Sequence, residues 1–328
     1  MKYGVIGTGY WGSNHARVAA ELADEGDVDG VVLCDIDEDR VEELASSYGV
    51  EYTTDYTELA SMGVGAVTVA TPSPTHHEIA TYLLKDDVDC LVEKPLALNS
   101  DDAWDMVETA EDEGRTLGVG HIFRYHPALS DLKERIERGE LGEIKYMNTA
   151  RFSFRVPRAT AGVLYSLAVH DIDISNYLLE SRPESLYCNL DRFIRDDIDE
   201  TATVVLDYGE ATSVINESWQ VPVYGKRRDL TVVGSEKAAY VDYLEDNVVE
   251  LYDSRVRRDD GELRAVSEGK QVYETENKEP LKVEVSEFVK ACRTGGKPRA
   301  PGKVGAETVE LLELCEESSA GERVVRVD

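Results

Sequence analysis

A short apolar run, Tyr3-Gly4-Val5-Ile6, leads at the start of the chain into Gly7-Thr8-Gly9-Tyr10-Trp11-Gly12, and a helix-like segment follows. Glycines at the first, third and sixth places of a strand-to-helix turn restrict what can form there. The first makes the tight turn, the second leaves the backbone bare so that a pyrophosphate can approach, and the third lets the helix pack on the strand. The start of that helix adds unpaired N–H groups and a partial positive charge. A second apolar run, Val31-Val32-Leu33-Cys34, ends in Asp35, 23 residues beyond Gly12. A carboxylate there accepts hydrogen bonds from adenosine ribose hydroxyls and repels a 2′-phosphate, so NAD is expected rather than NADP. Gly7, Thr8, Gly9, Tyr10, Trp11, Gly12 and Asp35 are the expected dinucleotide contacts.

Strands are expected at residues 2–7, 31–35, 66–70 and 117–120, with one more short run, Cys90-Leu91-Val92, entering Glu93. Helices are expected at 13–25 (with Ser13 or Asn14 as N-cap), 38–48, 75–84 and 100–113. Unbroken apolar strands alternating with helices imply a parallel sheet covered on both faces. The fold class is therefore α/β, with a doubly wound Rossmann domain over residues 1–121. After His121 the texture changes to strands at 144–154, 201–208, 212–220, 229–233, 238–243 and 248–252, several of them alternating. One helix, 167–179, interrupts them, 253–269 reads as the most loop-like stretch, and helices at 281–293 and 304–317 close the chain. Residues 122–328 are thus expected to form an α+β domain on a mostly antiparallel open sheet. One sheet face would rest on helices and the other would be free to meet a partner subunit. The closing helices are placed to pack back on the first domain.

At 328 residues two domains are the default expectation. The formal net charge of −31 is spread along the chain rather than gathered in a tail. A field of that sign repels nucleic acid and anionic membranes. It suits a protein from a high-salt habitat, where screening relieves self-repulsion; an ordinary acidic enzyme is the plainer alternative. No run reaches the roughly 18 apolar residues of a membrane span, and no export leader is expected from the N-terminal residues. The five cysteines are odd in number and far apart, without any C-x-x-C pair. Reduced thiols, a cytoplasmic location and no bound metal are the expectation.

Two further loops carry chemistry. Ala70-Thr71-Pro72-Ser73-Pro74-Thr75-His76-His77 leaves the carboxyl end of the third long strand, where ligands of such sheets bind. Thr71, Pro72 and His76 are expected beside the cofactor, while Ser73 and Thr75 are equally suited to capping the next helix. Glu93-Lys94-Pro95 follows a buried strand, and Pro95 favours an extended Lys94 whose side chain leaves the strand end. The Lys94–Pro95 bond is a candidate cis peptide. Beside an oxidised nicotinamide and partly desolvated, Lys94 would have a lowered pKa and could hold a substrate hydroxyl and share its proton.

The glycine loop, Thr71-Pro72-x-x-x-His76 and Glu93-Lys94-Pro95, in that order, resemble the Gfo/Idh/MocA oxidoreductases. The likeness continues through Arg124-Tyr125-His126-Pro127, Leu141-Gly142-Glu143-Ile144, residues 162–173 and Glu279-Pro280-Leu281, and on to Phe288 and Arg293-Thr294-Gly295. It covers nearly the whole chain. It implies a Rossmann domain, a sheet domain that builds homodimers or homotetramers, and hydride transfer at a sugar or polyol carbon. Family members carry Asp-x-x-x-His on a helix of the second domain. Here the matching stretch is Ser166-Leu167-Ala168-Val169-His170, so His170 matches and Ser166 stands in place of the aspartate. Ser166 can hydrogen-bond a substrate but cannot act as a base. His170 then becomes the expected base beside Lys94, with Asp173 orienting its ring. Glu93 and Lys94 are expected near the cofactor, and Arg124, Arg155, Arg158, Ser166 and Asp173 at the substrate.

Gly162-Val163-Leu164 with 168–174 looks most like the nucleotide-sugar branch, whose members oxidise C3 of a UDP-N-acetylglucosamine-type sugar. Arg151, Arg155 and Arg158 before the helix suit a diphosphate. Two alternatives are a dehydrogenase of a free sugar or inositol, and a dinucleotide-binding sensor without turnover. Lys94 and His170 argue against the sensor, whereas Ser166 argues for it.

Overall fold

The computed structural model describes residues 1–157, 161–223, 225–244 and 247–327. They form two compact units, one of residues 1–125 with 279–310 and the other of 126–278 with 311–328.

In the first unit β1 (Lys2–Ile6), α1 (Tyr10–Asp24), β2 (Val31–Cys34), α2 (Glu38–Tyr48), β3 (Glu51–Thr53), β4 (Val64–Val69), α3 (His76–Lys85), β5 (Asp89–Val92), α4 (Ser100–Asp112) and β6 (Leu117–Val119) follow in order. The sheet order is β3-β2-β1-β4-β5-β6, every described pairing parallel. The order reverses direction beside β1, and ligands of such sheets bind at that reversal, outside the strand carboxyl ends. Strands β2 and β5 are buried throughout, which is why β2 and the Cys90-Leu91-Val92 part of β5 read as unbroken apolar runs. Helix α1 begins at Tyr10 with Gly9 as its N-cap, not at Ser13 or Asn14. Both of those side chains instead donate back to the Tyr10 carbonyl. The glycine loop starts the helix three residues early because Gly7, at φ +86°, takes a turn closed to residues with a Cβ. Thr75 is the N-cap of α3 by position, but its hydroxyl bonds Thr71 and the Pro72 carbonyl rather than capping the helix.

The second unit contains α5 (Pro127–Glu137), β7 (Ile144–Phe152), α6 (Val169–Leu179), β8 (Ser185–Asp191), β9 (Thr201–Asp207), β10 (Thr212–Ser218), β11 (Arg227–Gly234), β12 (Ala238–Asp242), β13 (Val248–Asp259) and β14 (Glu262–Glu274). Helices α7 (Pro280–Thr294) and α8 (Gly302–Gly321) follow, then β15 (Val325–Arg326). Helix α7 and the first part of α8 lie in the first unit, and the rest of α8 and β15 in the second. Nine strands run in the order β14-β13-β12-β11-β7-β10-β9-β8-β15, antiparallel except for β7 beside β10. Burial alternates along β9, so Ala202, Val204 and Leu206 line the core while their neighbours face outward. On β10, Ser213 takes part in the packing of α6, its hydroxyl 2.9 Å from that of Ser175. Along β8, the N–H groups of Cys188 and Leu190 bond the hydroxyls of Ser318 and Ser319, which quiets an otherwise open edge. The stretch 253–269 is no loop: it belongs to a long hairpin in which Val248–Asp259 pairs with Glu262–Glu274.

Candidate active site

At the glycine loop, a Cβ on Gly12 would lie 1.6 Å from the Gly7 carbonyl oxygen, so helix and strand meet there only without a side chain. A Cβ on Gly9 would meet nothing within 4 Å, so this bare backbone opens to space at the head of α1. That is the cradle a pyrophosphate needs, and the residues present fit a dinucleotide. Tyr10 and Trp11, 86% and 41% exposed, flank the opening with ring centroids 5.9 Å apart. Asp35 is buried and braces the loop. Its Oδ2 accepts from the Thr8 N–H at 2.6 Å and the Thr8 hydroxyl at 2.8 Å, and its Oδ1 accepts from the Asp37 N–H at 3.0 Å. Burial pushes this carboxyl up, but the bonds from Thr8 and Asp37 and the charge of Arg40 outweigh it and hold it below the usual aspartate value. Arg40, half exposed, reaches Oδ2 at 3.4 Å.

The next two loops meet around His76. Its Nε2 lies 2.9 Å from the Thr71 carbonyl and its Nδ1 3.0 Å from the Pro95 carbonyl. Buried as it is, His76 is a brace between the two loops, while Thr71 and Pro72 remain at the surface of theirs. The Lys94–Pro95 peptide is cis, and Lys94 itself is half-buried. The Glu93 carboxylate meets His15 Nε2 at 2.9 Å. Burial raises that carboxyl, but His15, then the charges of Lys94 and His76, bring it below the ordinary glutamate value. His15 was not among the residues singled out from sequence: a lone histidine on the inner face of a helix reads as core. Arg124 is buried, and its guanidinium donates to the Arg299 carbonyl at 3.2 Å.

In the second unit, residues Leu164–Ala168 wind as a π-helix before α6 begins, with the Val169 N–H bonding the Leu164 carbonyl. Ser166 lies in that wider turn and His170 in the α-helix after it. Such π segments occur frequently at functional sites. The Asp199 carboxylate caps the segment through the Leu164 N–H at 2.8 Å. Ser166 and Asp173 are buried, and His170 is half-buried.

The arginines part company. Arg151 is sealed in the core by a bidentate pair with Asp171 (2.5 and 3.0 Å), which takes it out of any substrate-facing cluster. Arg158 lies outside the described residues. Arg155 is exposed, 5.7 Å from the Trp219 ring. Beside it the sheet brings up two cations that sequence reasoning missed, Lys226 and Arg228. Arg228 lies opposite Arg151 in the β7–β11 pairing. Burial, then the like charge of Arg151, push Arg228 below its ordinary value against the opposing charges of Glu217 and Asp171, and Arg155 adds to the push further down. Arg228 in turn pushes Lys226 down. Only the strand register reveals this crowding.

Residues 1–121 match the model of an oxidoreductase family with an NAD-binding Rossmann fold, and residues 129–240 match the GFO/IDH/MocA C-terminal domain. This chain belongs to the Gfo/Idh/MocA oxidoreductase family. A myo-inositol 2-dehydrogenase from Thermotoga maritima is 26% identical over 100% of this chain and 99% of its own. A UDP-N-acetylglucosamine 3-dehydrogenase from Acidithiobacillus ferrooxidans is 28% identical over 77% of each chain. A solved levoglucosan dehydrogenase in complex with NADH superposes with a TM-score of 0.86 at 20% identity, over 100% of this chain and 99% of that one. As a Gfo/Idh/MocA protein, the chain is a nicotinamide-dinucleotide-dependent dehydrogenase acting on CH–OH groups. No described helix is long and apolar enough to cross a membrane.

Proposed function

We propose that this enzyme oxidises a secondary hydroxyl, at C3, of a nucleotide-activated amino sugar of the UDP-N-acetylglucosamine type, with NAD rather than NADP. The dinucleotide, when bound, supplies the hydride acceptor. Gly9 and the first turn of α1 receive the pyrophosphate, and Asp35 receives the adenosine ribose. Lys94 holds the substrate oxygen and stabilises the charge that develops on it, His170 takes the hydroxyl proton, and Ser166 offers a hydrogen bond.

The observation that carries the nucleotide-sugar reading is the crowding of Arg155, Lys226 and Arg228 in a chain of net charge −31. Like charges gathered in one place are relieved by an anion, and a diphosphate matches guanidinium groups in bidentate fashion. A charge-assisted hydrogen bond is worth about 1.5–3 kcal/mol, so Arg228→Ala should raise KM for a UDP-sugar by about 10- to 100-fold with kcat little changed. The test is steady-state turnover on UDP-N-acetylglucosamine, N-acetylglucosamine and myo-inositol. Faster turnover on the free sugars, with R228A indistinguishable from wild type, overturns the reading. A second reading, a dehydrogenase of a free sugar or inositol, is favoured by the full-length match to a myo-inositol 2-dehydrogenase. Assembly as a homodimer or homotetramer through the outer face of the nine-stranded sheet, where Tyr146 and Tyr187 stand exposed, belongs to the same proposal.

A further inference from the structure

Two buried histidines from two different helices hold the Glu93-Lys94-Pro95 turn, one on each side of the lysine. From α1, His15 is 1% exposed and its Nε2 lies 2.9 Å from Glu93 Oε1. Its Nδ1 faces the Thr68 hydroxyl at 3.4 Å, and that hydroxyl lies 2.7 Å from the Tyr3 hydroxyl. Tyr3 and Thr68 are both 0% exposed. One direction serves every donor in this row: Tyr3 O–H to Thr68, Thr68 O–H to Nδ1, and Nε2–H to the carboxylate. The reverse direction leaves the Tyr3 O–H without an acceptor among the described residues, which burial penalises.

Glu93 is equally confined. Its Oε2 accepts from the Lys94 N–H at 3.3 Å. A Cβ on Gly120 would come within 3.2 Å of the Glu93 backbone and carboxyl, so the strand behind it sits tightly against the turn. From α3, His76 is also 1% exposed and spans the Thr71 and Pro95 carbonyls at 2.9 and 3.0 Å. The residue before Lys94 is thus fixed through its side chain, and the residue after it through its carbonyl. Nothing in a plain strand end calls for four buried polar side chains, each costly unless paired, to converge on one turn.

We propose that His15 and His76 are positioning residues for Lys94, setting the backbone from which its ammonium is presented. This rests on the reading of Lys94 as the group that holds the substrate oxygen. A reacting group displaced by 1 Å loses about 100-fold in rate. The expected result for His15→Phe, which keeps the ring volume and loses both nitrogens, is a kcat lower by about 10- to 100-fold. KM for NAD should stay within a few-fold, because the glycine loop is untouched. His15→Gln restores a donor at the Nε2 position and should recover most of kcat; a residue that only fills space would not be rescued this way. Lys94→Ala, which should lose most turnover, is measured alongside.

An active Lys94→Ala enzyme overturns the Lys94 reading and the proposal with it. An inactive Lys94→Ala enzyme beside a His15→Phe enzyme of wild-type kcat overturns the proposal alone. So does a His15→Phe loss that Gln fails to rescue, or one matched by an equal loss of NAD affinity measured by fluorescence titration. If His15→Phe does not fold, His76→Phe carries the same test. It removes the single N–H that a neutral ring gives to one of the two carbonyls, and the same lowered kcat with unchanged KM for NAD is expected. Wild-type kcat in His76→Phe overturns the proposal.

Discussion

Glu217 is the most exposed to refutation of all the buried groups, because its charge state can be read from stability alone. It sits on β10 with 0% exposure, opposite Arg151 in the β7–β10 pairing and against the Asp171 carboxylate. Burial, then the neighbouring Asp171 carboxylate, raise it well above the ordinary 4.5. Two carboxylates this close cannot both ionise cheaply, and Asp171 is the one already committed to Arg151. Glu217 therefore keeps its proton in the folded chain at a pH where the unfolded chain has lost it. The folded state binds the extra proton, so stability is highest below the unfolded value and falls as pH rises from about 4.5 toward the folded value. The fall is about 1.4 kcal/mol for each pH unit. Glu217→Gln is neutral at every pH and escapes it. The stability of the Gln variant relative to wild type should thus grow by about 1.4 kcal/mol per unit upward from pH 5, or about 3–6 °C in the unfolding midpoint of a unit this size. Calorimetric or circular-dichroism melts at pH 5, 6 and 7 in fixed salt measure it. Wild-type and variant midpoints that run parallel across that range would refute the protonated-carboxyl argument.

Asp35→Ala removes the carboxylate expected to bind the ribose and leaves Arg40 free to meet a 2′-phosphate. The ratio of kcat/KM for NAD over NADP should fall at least tenfold, and an unchanged ratio would show that Asp35 serves only as the brace of Thr8. The net charge of −31 predicts that the thermal midpoint climbs between low and molar salt as screening relieves self-repulsion; a midpoint indifferent to salt removes the high-salt reading. If the outer face of the sheet is an interface, Tyr146→Glu and Tyr187→Glu together should shift the elution volume toward a smaller species, with melting behaviour retained. No shift would place assembly elsewhere.

What could be read from the sequence was whatever local chemistry decides. The unbroken run Val31-Val32-Leu33-Cys34 is a strand buried on both faces, and its pattern says so without any knowledge of its neighbours. The hairpin of β13 and β14 gave no such signal, since its outer half is exposed on both faces and its side chains alternate nothing. The helix caps were misplaced for a related reason: Gly9 ends the loop through backbone freedom, while Ser13 and Asn14 carry the usual capping groups and use them inside the helix.

The candidate site divides along the same line. Lys94 was visible because a proline follows it at a strand end, a signal contained in three residues. His15 and Glu93 are 78 residues apart and join only because α1 and the turn after β5 flank the same strand carboxyl ends. Arg151 shows the opposite error. Arg151 and Arg155 were expected in one cationic cluster, yet β7 ends at Phe152, before Arg155, and the pairing with β10 and β11 decides which charges Arg151 meets. That register turns Arg151 inward to Asp171 and brings Arg228, a residue 77 positions away, beside it instead. Charge clusters on a sheet are therefore properties of register, and a spacing argument within one strand predicts them only when the partner strands are already known.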